Sequence, residues 1–220
     1  MFSFTDTYLL SSYITPCPGL KTDCLTKVVQ ETLPLFAKGI PELGVDSIDP
    51  LKEDLVSLVL PGGFKVELRN GTTTGLRKCN IDSVYQNNEA EFKVHCDLTI
   101  KGQYKASGRI LIVSINGDGD AKIKITKIKF EDKVRDGVVY HEVKDIDIKQ
   151  DYGEKVTFGL TNLFKGNPEI SEAVLLFLNQ NWKPIAEEFG KPLVDKLVEL
   201  VSQIVKKFFE AVPKDELIQA

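Results

Sequence analysis

The chain has 220 residues, of which 42% are hydrophobic and 27% charged, and its formal net charge is −4. This composition supports a sizeable core and excludes a disordered polar chain. Affinity for nucleic acid depends largely on basic contacts to phosphate, so a mildly acidic chain without a basic cluster is a poor candidate. The longest uninterrupted apolar run, residues 173–178, is far too short to span a bilayer. We therefore expect a soluble globular protein.

The N-terminal segment lacks both the basic stretch and the long apolar stretch of a secretory signal, and Asp6 lies within it. We interpret residues 1–15 as an unstructured arm at the mature N-terminus or as residues added for expression. Residues 16–220 are expected to form a single domain.

The first two of the four cysteines flank a turn-forming stretch that precedes a helical pattern. A bridge between Cys17 and Cys24 would fix the start of that helix and contribute about 2–3 kcal/mol. Such a bridge favours an oxidising compartment, and the glycosylation sequon at Asn70 is compatible with secretion. The helical pattern consists of Leu25, Val28, Val29, Thr32, Leu33 and Phe36.

The other two cysteines lie in two predicted strands on either side of Asn87 and Asn88. If these two asparagines form a tight hairpin turn, Cys79 and Cys96 lie directly opposite each other. A cross-strand disulfide and a pair of free core thiols both fit this position. The spacing does not match that of a zinc site. The face shared with the two cysteines carries Ile81, Phe92, Val94, Leu98 and Ile100.

Residues from about 55 to 163 alternate apolar and polar side chains, which is typical of strands. Turn residues at 116–119, 136–137 and 151–153 predict short connections, and therefore an antiparallel meander. The alternation slips near residues 126–127 and again between 143 and 146, which predicts bulges that bend the sheet. The named strands are 64–68, 91–100, 108–115, 120–130, 138–148 and 154–160.

The C-terminal quarter predicts one unusually long helix with a single apolar stripe, interrupted by Pro184, Gly190 and Pro192. The stripe needs a broad apolar cover, and the bent sheet supplies one. We therefore predict an α+β fold in which a strongly curved antiparallel sheet wraps a long C-terminal helix and a further helix lies near the N-terminus. The stripe consists of Trp182, Ile185, Ala186, Phe189, Leu193, Val194, Leu197, Val201, Ile204, Phe208 and Val212.

Motifs for catalysis or metal binding are absent from the sequence. Residues 105–108 lack the first glycine of a serine-hydrolase elbow. The segment that begins at Asn116 resembles a calcium loop, but it lacks the glycine and the glutamate that such a loop needs. The two histidines, His95 and His141, are expected to be solvated strand residues. We predict no catalytic residue, no metal and no cofactor.

The string NLFKGNPEISEAVLLFLNQNW (162–182), followed by Pro184, Glu187, Pro192 and the late FFEAVPKDEL, closely resembles the C-terminal part of the Takeout and juvenile-hormone-binding proteins of insects. The strings IDSVYQ and DLTIKGQYKASGRIL agree, and the resemblance covers nearly all of the chain from Pro16 onwards. It implies a secreted carrier in which a curved sheet encloses an apolar tunnel, a fold shared with the bactericidal permeability-increasing protein group.

The position of the second cysteine pair refines this resemblance. Hormone-binding members carry that pair further towards the C-terminus than Cys79 and Cys96. The difference indicates a Takeout-like member and argues against juvenile hormone as the ligand.

The predicted function is that of a monomeric, non-enzymatic carrier that sequesters an elongated apolar molecule such as a fatty acid or an isoprenoid. The alternatives are a lipid-transfer protein that docks transiently on membranes and a ligand-free interaction protein. Tyr104, Tyr140 and Trp182 are the expected groups to orient a polar ligand head. The predicted tunnel lining is Phe92, Val94, Leu98, Ile100, Ile123, Ile125, Val156, Phe158 and Leu160 from the sheet, with Trp182, Phe189, Leu193 and Leu197 from the helix.

Overall fold

The computed structural model describes residues 17, 21–86, 89–135 and 145–211. Within these ranges six strands form one antiparallel sheet in the order β1-β2-β4-β5-β6, and β3 pairs with the first part of β4. The predicted α+β fold is confirmed. The strands are β1 (Leu51–Leu60), β2 (Phe64–Thr74), β3 (Asn80–Gln86), β4 (Glu89–Ile110), β5 (Val113–Arg135) and β6 (Asp145–Leu160). The helices are α1 (Thr22–Phe36), α2 (Pro168–Gln180), α3 (Trp182–Phe189) and α4 (Lys191–Ala211).

Strands β4 and β5 are 22 and 23 residues long, and they pair with each other along almost their whole length. The turns predicted at 116–119 and 151–153 are wrong, because these residues lie inside β5 and β6. The chain turns instead at residues 111–112, between the paired Ile110 and Val113. The turn predicted at 136–137 lies outside the described residues.

Two glycines of the wrongly predicted turn serve close packing. A β-carbon at Gly117 would overlap the Tyr104 ring, and one at Gly119 would overlap the backbone of Thr161. Glycine inside a strand is often a sign that another group approaches the backbone closely. Composition alone does not distinguish this use of glycine from a turn.

The slip in alternation predicted at residues 126–127 is confirmed as a bulge. The register of β5 shifts there against both neighbours, between Cys96 and Leu98 on β4 and between Thr126 and Ile128 in the pairing with β6. Lys127 has a φ of 55°, and its N–H donates to Asp97 Oδ1 at 2.8 Å. Aligned bulges bend and twist strands, so the sheet curves over its inner face. The second predicted slip involves residues 143–144, outside the described residues.

Both disulfides are present, Cys17–Cys24 with Cα atoms 5.9 Å apart and Cys79–Cys96 with Cα atoms 4.4 Å apart. The predicted register holds next to the second bridge, where Asn80 pairs with His95. A bulge between Ile81 and Ser83 then shifts the pairing by one residue towards the turn. Asn87 and Asn88 themselves lie outside the described residues.

The long helix predicted from Trp182 onwards is divided into α3 and α4 at Gly190, and α2 precedes it as a separate helix that ends before Asn181. Pro184 and Pro192 lie in the first turns of α3 and α4, where proline is tolerated because the first backbone N–H groups have no partner within the helix. A β-carbon at Gly190 would overlap the Tyr152 hydroxyl on β6, so contact with the sheet requires glycine at this break. No helix among the described residues is long and apolar enough to cross a membrane.

The buried apolar residues form two clusters along the inner face of the sheet. The disulfide-side cluster includes Ala37, Ile48, Leu76, Cys79, Cys96, Leu98, Ile128, Tyr152, Val194, Ile204 and Phe208. The hairpin-side cluster includes Leu60, Phe64, Tyr104, Ile110, Ile115, Leu163, Leu178, Ile185 and Phe189. Helix α4 contributes to the first cluster, and α2 and α3 supply most helical residues of the second.

Candidate functional site

Three apolar side chains lie side by side across the inner face of the sheet, where the two clusters meet. Ile100 pairs with Ile123, and Ile123 pairs with Phe158. All three are only partly buried, and we call them the central row. The adjoining inner row, in contrast, is closed: Leu98 is 2% exposed, Ile125 9% and Val156 3%. The exposed apolar surface of the central row is where an apolar ligand would gain most by packing.

The helices bring further apolar groups towards the central row. Phe158 packs against both clusters, whereas Ile100 and Ile123 pack against the disulfide-side cluster. Trp182 from α3 and Leu197 from α4 are also partly buried against the disulfide-side cluster. The central row and these two helical residues therefore pack against the same apolar cluster.

The strand that carries Phe158 is held by a side chain of α2. Asn179 Oδ1 accepts the N–H of Phe158 at 2.9 Å, and Asn179 Nδ2 donates to the carbonyl of Phe158 at 2.8 Å. One amide side chain thus replaces the neighbouring strand that the outer edge of β6 lacks. Sequence reasoning did not identify Asn179, although an asparagine at a half-buried position of an amphipathic helix is a signal that could have found it.

Tyr104 belongs to the hairpin-side cluster and is 5% exposed. Its hydroxyl donates to the carbonyl oxygen of Thr161 at 2.8 Å. Burial, together with the nearby Asp118 carboxylate, raises the pKa of Tyr104 to about 12. The hydroxyl hydrogen is therefore used inside the protein, and only acceptor lone pairs remain for a ligand head. Tyr140, predicted for the same role, lies outside the described residues.

Tyr152 is a polar-tipped residue of the interior that the sequence reasoning assigned to a turn. It is 7% exposed and belongs to the disulfide-side cluster. Its hydroxyl accepts from Gln150 Nε2 at 3.3 Å and lies next to Gly190, at the break between α3 and α4. Burial, with a smaller contribution from Asp195, raises its pKa to about 12.

Most of the predicted lining residues lie in or against the two clusters. Phe92 and Leu193 are partly buried, and Phe92 pairs with Val84 and Asp132 in the sheet. The residues in or against the disulfide-side cluster are Val94, Leu98, Ile100, Ile123, Ile125, Val156, Phe158, Trp182 and Leu197. Those in or against the hairpin-side cluster are Tyr104, Phe158, Leu160 and Phe189. That these side chains line a tunnel stays a prediction.

Strands β4 and β5 present lysine and aspartate side chains at a cleft of the sheet. This open cleft has a volume of about 570 Å³, with Lys101, Lys122 and Asp120 in its lining. Asn70 also borders this cleft and is exposed, where the pairing of β2 with β4 shifts register. Glycosylation of Asn70 stays a prediction. Among the described residues, no group of three histidine, cysteine or acidic side chains could hold a metal ion.

Comparisons with known proteins agree with this geometry. A family model described as "Haemolymph juvenile hormone binding protein (JHBP)" matches residues 2–219. The crystal structure of Takeout 1 from Epiphyas postvittana superposes with a TM-score of 0.86 at 37% identity, over 93% of this chain and 99% of that one. The "Circadian clock-controlled protein daywake" of Drosophila yakuba is 23% identical over 93% of this chain and 86% of its own length. The protein of the same name from Drosophila melanogaster is 24% identical, over 92% of this chain and 86% of its own length.

Proposed function

Because the chain belongs to the haemolymph juvenile hormone binding protein family, we propose that it is a secreted carrier for an elongated apolar small molecule. The ligand lies between the inner face of the sheet and the C-terminal helices, in contact with the central row. The family is one of hydrophobic-ligand binding proteins, so the mechanism is sequestration from water and requires no catalytic group.

The observation that carries this proposal is the partial exposure of the central row beside the closed row of Leu98, Ile125 and Val156. Apolar side chains on the concave face of a sheet would normally be covered by the protein itself. Burial of about 400 Å² of ligand hydrocarbon at roughly 25 cal/mol per Å² gives about 10 kcal/mol before ordering costs. Affinities from micromolar to nanomolar are then reached without any charged contact.

The elongated shape follows from the way the partly buried apolar residues continue on both sides of the central row. On the disulfide side they are Val94, Leu197, Val198 and Val201. On the hairpin side they are Leu58, Val66, Leu68 and Leu160. Such a distribution suits a chain-like molecule, for example a fatty acid or an isoprenoid, better than a compact ligand.

Secretion is supported by the two disulfides, which persist in oxidising compartments. The location of the Cys79–Cys96 bridge, between β4 and the residue that precedes β3, favours a Takeout-like ligand over juvenile hormone. The chain is proposed to act as a monomer.

Extraction of the purified protein with organic solvent, followed by mass spectrometry, tests the proposal directly. We expect a co-purifying lipid or isoprenoid, and we expect saturable uptake of a fluorescent fatty acid. Repeated absence of any extracted lipid, together with no uptake of fatty-acid and prenyl probes, would leave a solidly packed interaction protein as the better description.

The variant Ile123→Trp tests the position of the ligand. The larger side chain occupies space next to Ile100 and Phe158, so probe affinity should fall at least about tenfold. Leu176→Trp is the matched control, because Leu176 is 58% exposed on α2 and a larger group there meets solvent. Equal affinity of the two variants for the fluorescent fatty acid would place the ligand elsewhere. Circular dichroism verifies that both are folded.

A further inference from the structure

The turn that joins β4 and β5 presents two large apolar residues at the end of the longest hairpin. Ile112 is 84% exposed, the highest value among the exposed large hydrophobic residues of the described chain. Leu111 precedes it with a φ of 51° and packs only partly against the hairpin-side cluster. The hairpin extends past the last pair of β2 with β4, Lys65 with Ser107, so the turn protrudes beyond its neighbour.

The residues at this turn conflict with the requirements of its backbone. Two-residue hairpin turns need a positive φ, and they favour glycine and asparagine because other side chains are strained there. Leucine at position 111 accepts that strain, and isoleucine at position 112 gains almost no burial in return. Residues that break a local rule of turn formation, with little stabilisation from the rest of the fold, are often found at functional sites.

The strand segments next to the turn carry no negative charge. No aspartate or glutamate occurs in residues 99–117 or 55–66, although the chain contains 32 acidic residues among 220. The basic side chains of Lys65 and Arg109 are both exposed at this end of the sheet. The start of β2, which follows the connection at residues 61–63, lies close to this hairpin, since a β-carbon at Gly108 would be 3.0 Å from the Cα of Phe64.

We propose that the 111–112 turn is a membrane anchor that inserts into the interface of a lipid bilayer, with Lys65 and Arg109 at the headgroups of anionic lipids. Apolar tips flanked by basic residues bind such surfaces through apolar burial plus attraction to negative charge. A second copy of the chain fits this turn less well as a binding partner than a bilayer does. A stable dimer buries about 800 Å² per partner, whereas this turn offers one largely exposed apolar side chain. A bilayer needs no shape-matched partner surface.

This inference goes beyond the proposed carrier function and does not depend on it. The anchor lies next to the hairpin-side cluster, where the path of partly buried apolar residues ends in Leu58 and Val66. If the chain also carries a lipid, docking by this end brings that path to the bilayer from which the lipid is taken or to which it is delivered.

Flotation of the protein with vesicles tests the anchor. The wild-type chain should bind phosphatidylcholine vesicles weakly, and addition of phosphatidylserine should raise binding about tenfold at low salt. The variant Leu111→Gly with Ile112→Asn should lose at least about tenfold of that binding. Glycine followed by asparagine suits a two-residue turn, so this variant is expected to fold. Ile112→Ser, which changes only the exposed residue, is the milder second variant.

The fluorescence of an environment-sensitive dye provides a second readout. Ile112→Cys labelled with such a dye should shift its emission to shorter wavelength on phosphatidylserine-containing vesicles. Leu176→Cys, on the exposed side of α2, is the control and should not shift. Wild-type protein that stays unbound, turn variants that bind like wild type, or equal shifts of the two labelled positions would each overturn the anchor.

The outcomes separate the anchor from the carrier. In solution without vesicles, the turn variants should take up the fluorescent fatty acid with wild-type affinity. Vesicle binding without probe uptake would refute the carrier and keep the anchor. Probe uptake without vesicle binding would refute the anchor and keep the carrier.

Discussion

At the disulfide side, covalent and polar links tie the outer elements to the sheet. Cys17–Cys24 fixes the start of α1, and Gln30 of α1 bonds to the backbone of Cys79 and Ile81 beside the second bridge. The hairpin side has neither disulfide among the described residues. It is held by apolar packing, by hydrogen bonds such as that from the Tyr104 hydroxyl to the carbonyl of Thr161, and by close contacts of backbone with glycine, such as Gly108 against Phe64.

This difference indicates how the molecule divides its tasks. On the disulfide side, Phe36 of α1 contacts Phe208 of α4 edge to face, with ring centroids 5.4 Å apart. Lys207 of α4 also forms an ion pair at 2.8 Å with Asp46, in the segment between α1 and β1. That side forms a fixed end wall for the central row. The hairpin side carries the exposed turn, and the contacts described there are non-covalent.

Removal of the Cys79–Cys96 disulfide should change the relative stability of the two sides most. Cys79→Ala with Cys96→Ala opens a loop with a sequence separation of 17 residues, and we expect a loss of about 3 kcal/mol in the free energy of unfolding. The measurement is urea denaturation combined with hydrogen exchange. Amides of α1 and β3 should lose protection, whereas those next to residues 111–112 should keep theirs. Equal loss at both ends would show that the two sides unfold as one unit.

A smaller loss in the free energy of unfolding is expected on substitution of Asn179, which holds Phe158 where the two sides meet. Asn179→Ala removes both bonds to the backbone of Phe158 and one to the carbonyl of Leu175, and it should cost about 2 kcal/mol. Asn181→Ala is the matched control, because its side chain bonds only to the carbonyl of Phe177 within the described residues. The first variant should also weaken uptake of the fluorescent fatty acid, since Phe158 belongs to the central row. Equal stability of the two variants would contradict this role of Asn179.

The inner face of the sheet was predictable from sequence, because the period of two in a strand separates apolar from polar side chains. The bulge at Lys127 was predictable for the same reason, since an extra residue shifts that period. Helix α4 followed from helical spacing and the Cys17–Cys24 disulfide from cysteine positions, whereas the Cys79–Cys96 disulfide was one of two alternatives. These are local signals, which do not depend on which strands become neighbours.

The turns predicted at 116–119 and 151–153 are wrong, because strand pairing overrode local composition. Residues 116–119 have the composition of a turn, yet Gly117 and Gly119 allow contact with Tyr104 and Thr161. The real turn at residues 111–112 has no turn composition, and the pairing of β4 with β5 fixes it. Tyr152 was missed as a consequence, since its neighbours had been assigned to a turn. Strand β1 was not named because its outward residues include Leu55 and Val59, which break the alternation.

The smallest predicted effect compares the buried tyrosines, one in each cluster. The pKa values of Tyr104 and Tyr152 are both raised from 10.0 to about 12, mainly by burial. The folded protein therefore holds these phenol protons more tightly than the unfolded chain. The contribution of the two tyrosines to the free energy of unfolding is complete below pH 10 and is lost as the pH rises towards 12. The loss is about 1 kcal/mol for each tyrosine after allowance for solvent screening. Ultraviolet absorbance of tyrosinate during alkaline titration measures this.

The two phenols should differ when each is removed. Tyr104→Phe leaves the carbonyl of Thr161 without its 2.8 Å donor and should cost about 1 kcal/mol. Tyr152→Phe should cost less, because its hydroxyl is only the acceptor of a 3.3 Å bond from Gln150. Each variant should remove one late-titrating tyrosine. A larger loss of stability in Tyr152→Phe than in Tyr104→Phe would contradict this order. It would mean that the contact of the Tyr152 hydroxyl with Gly190, between α3 and α4, matters more than the hydrogen bond of Tyr104 to Thr161.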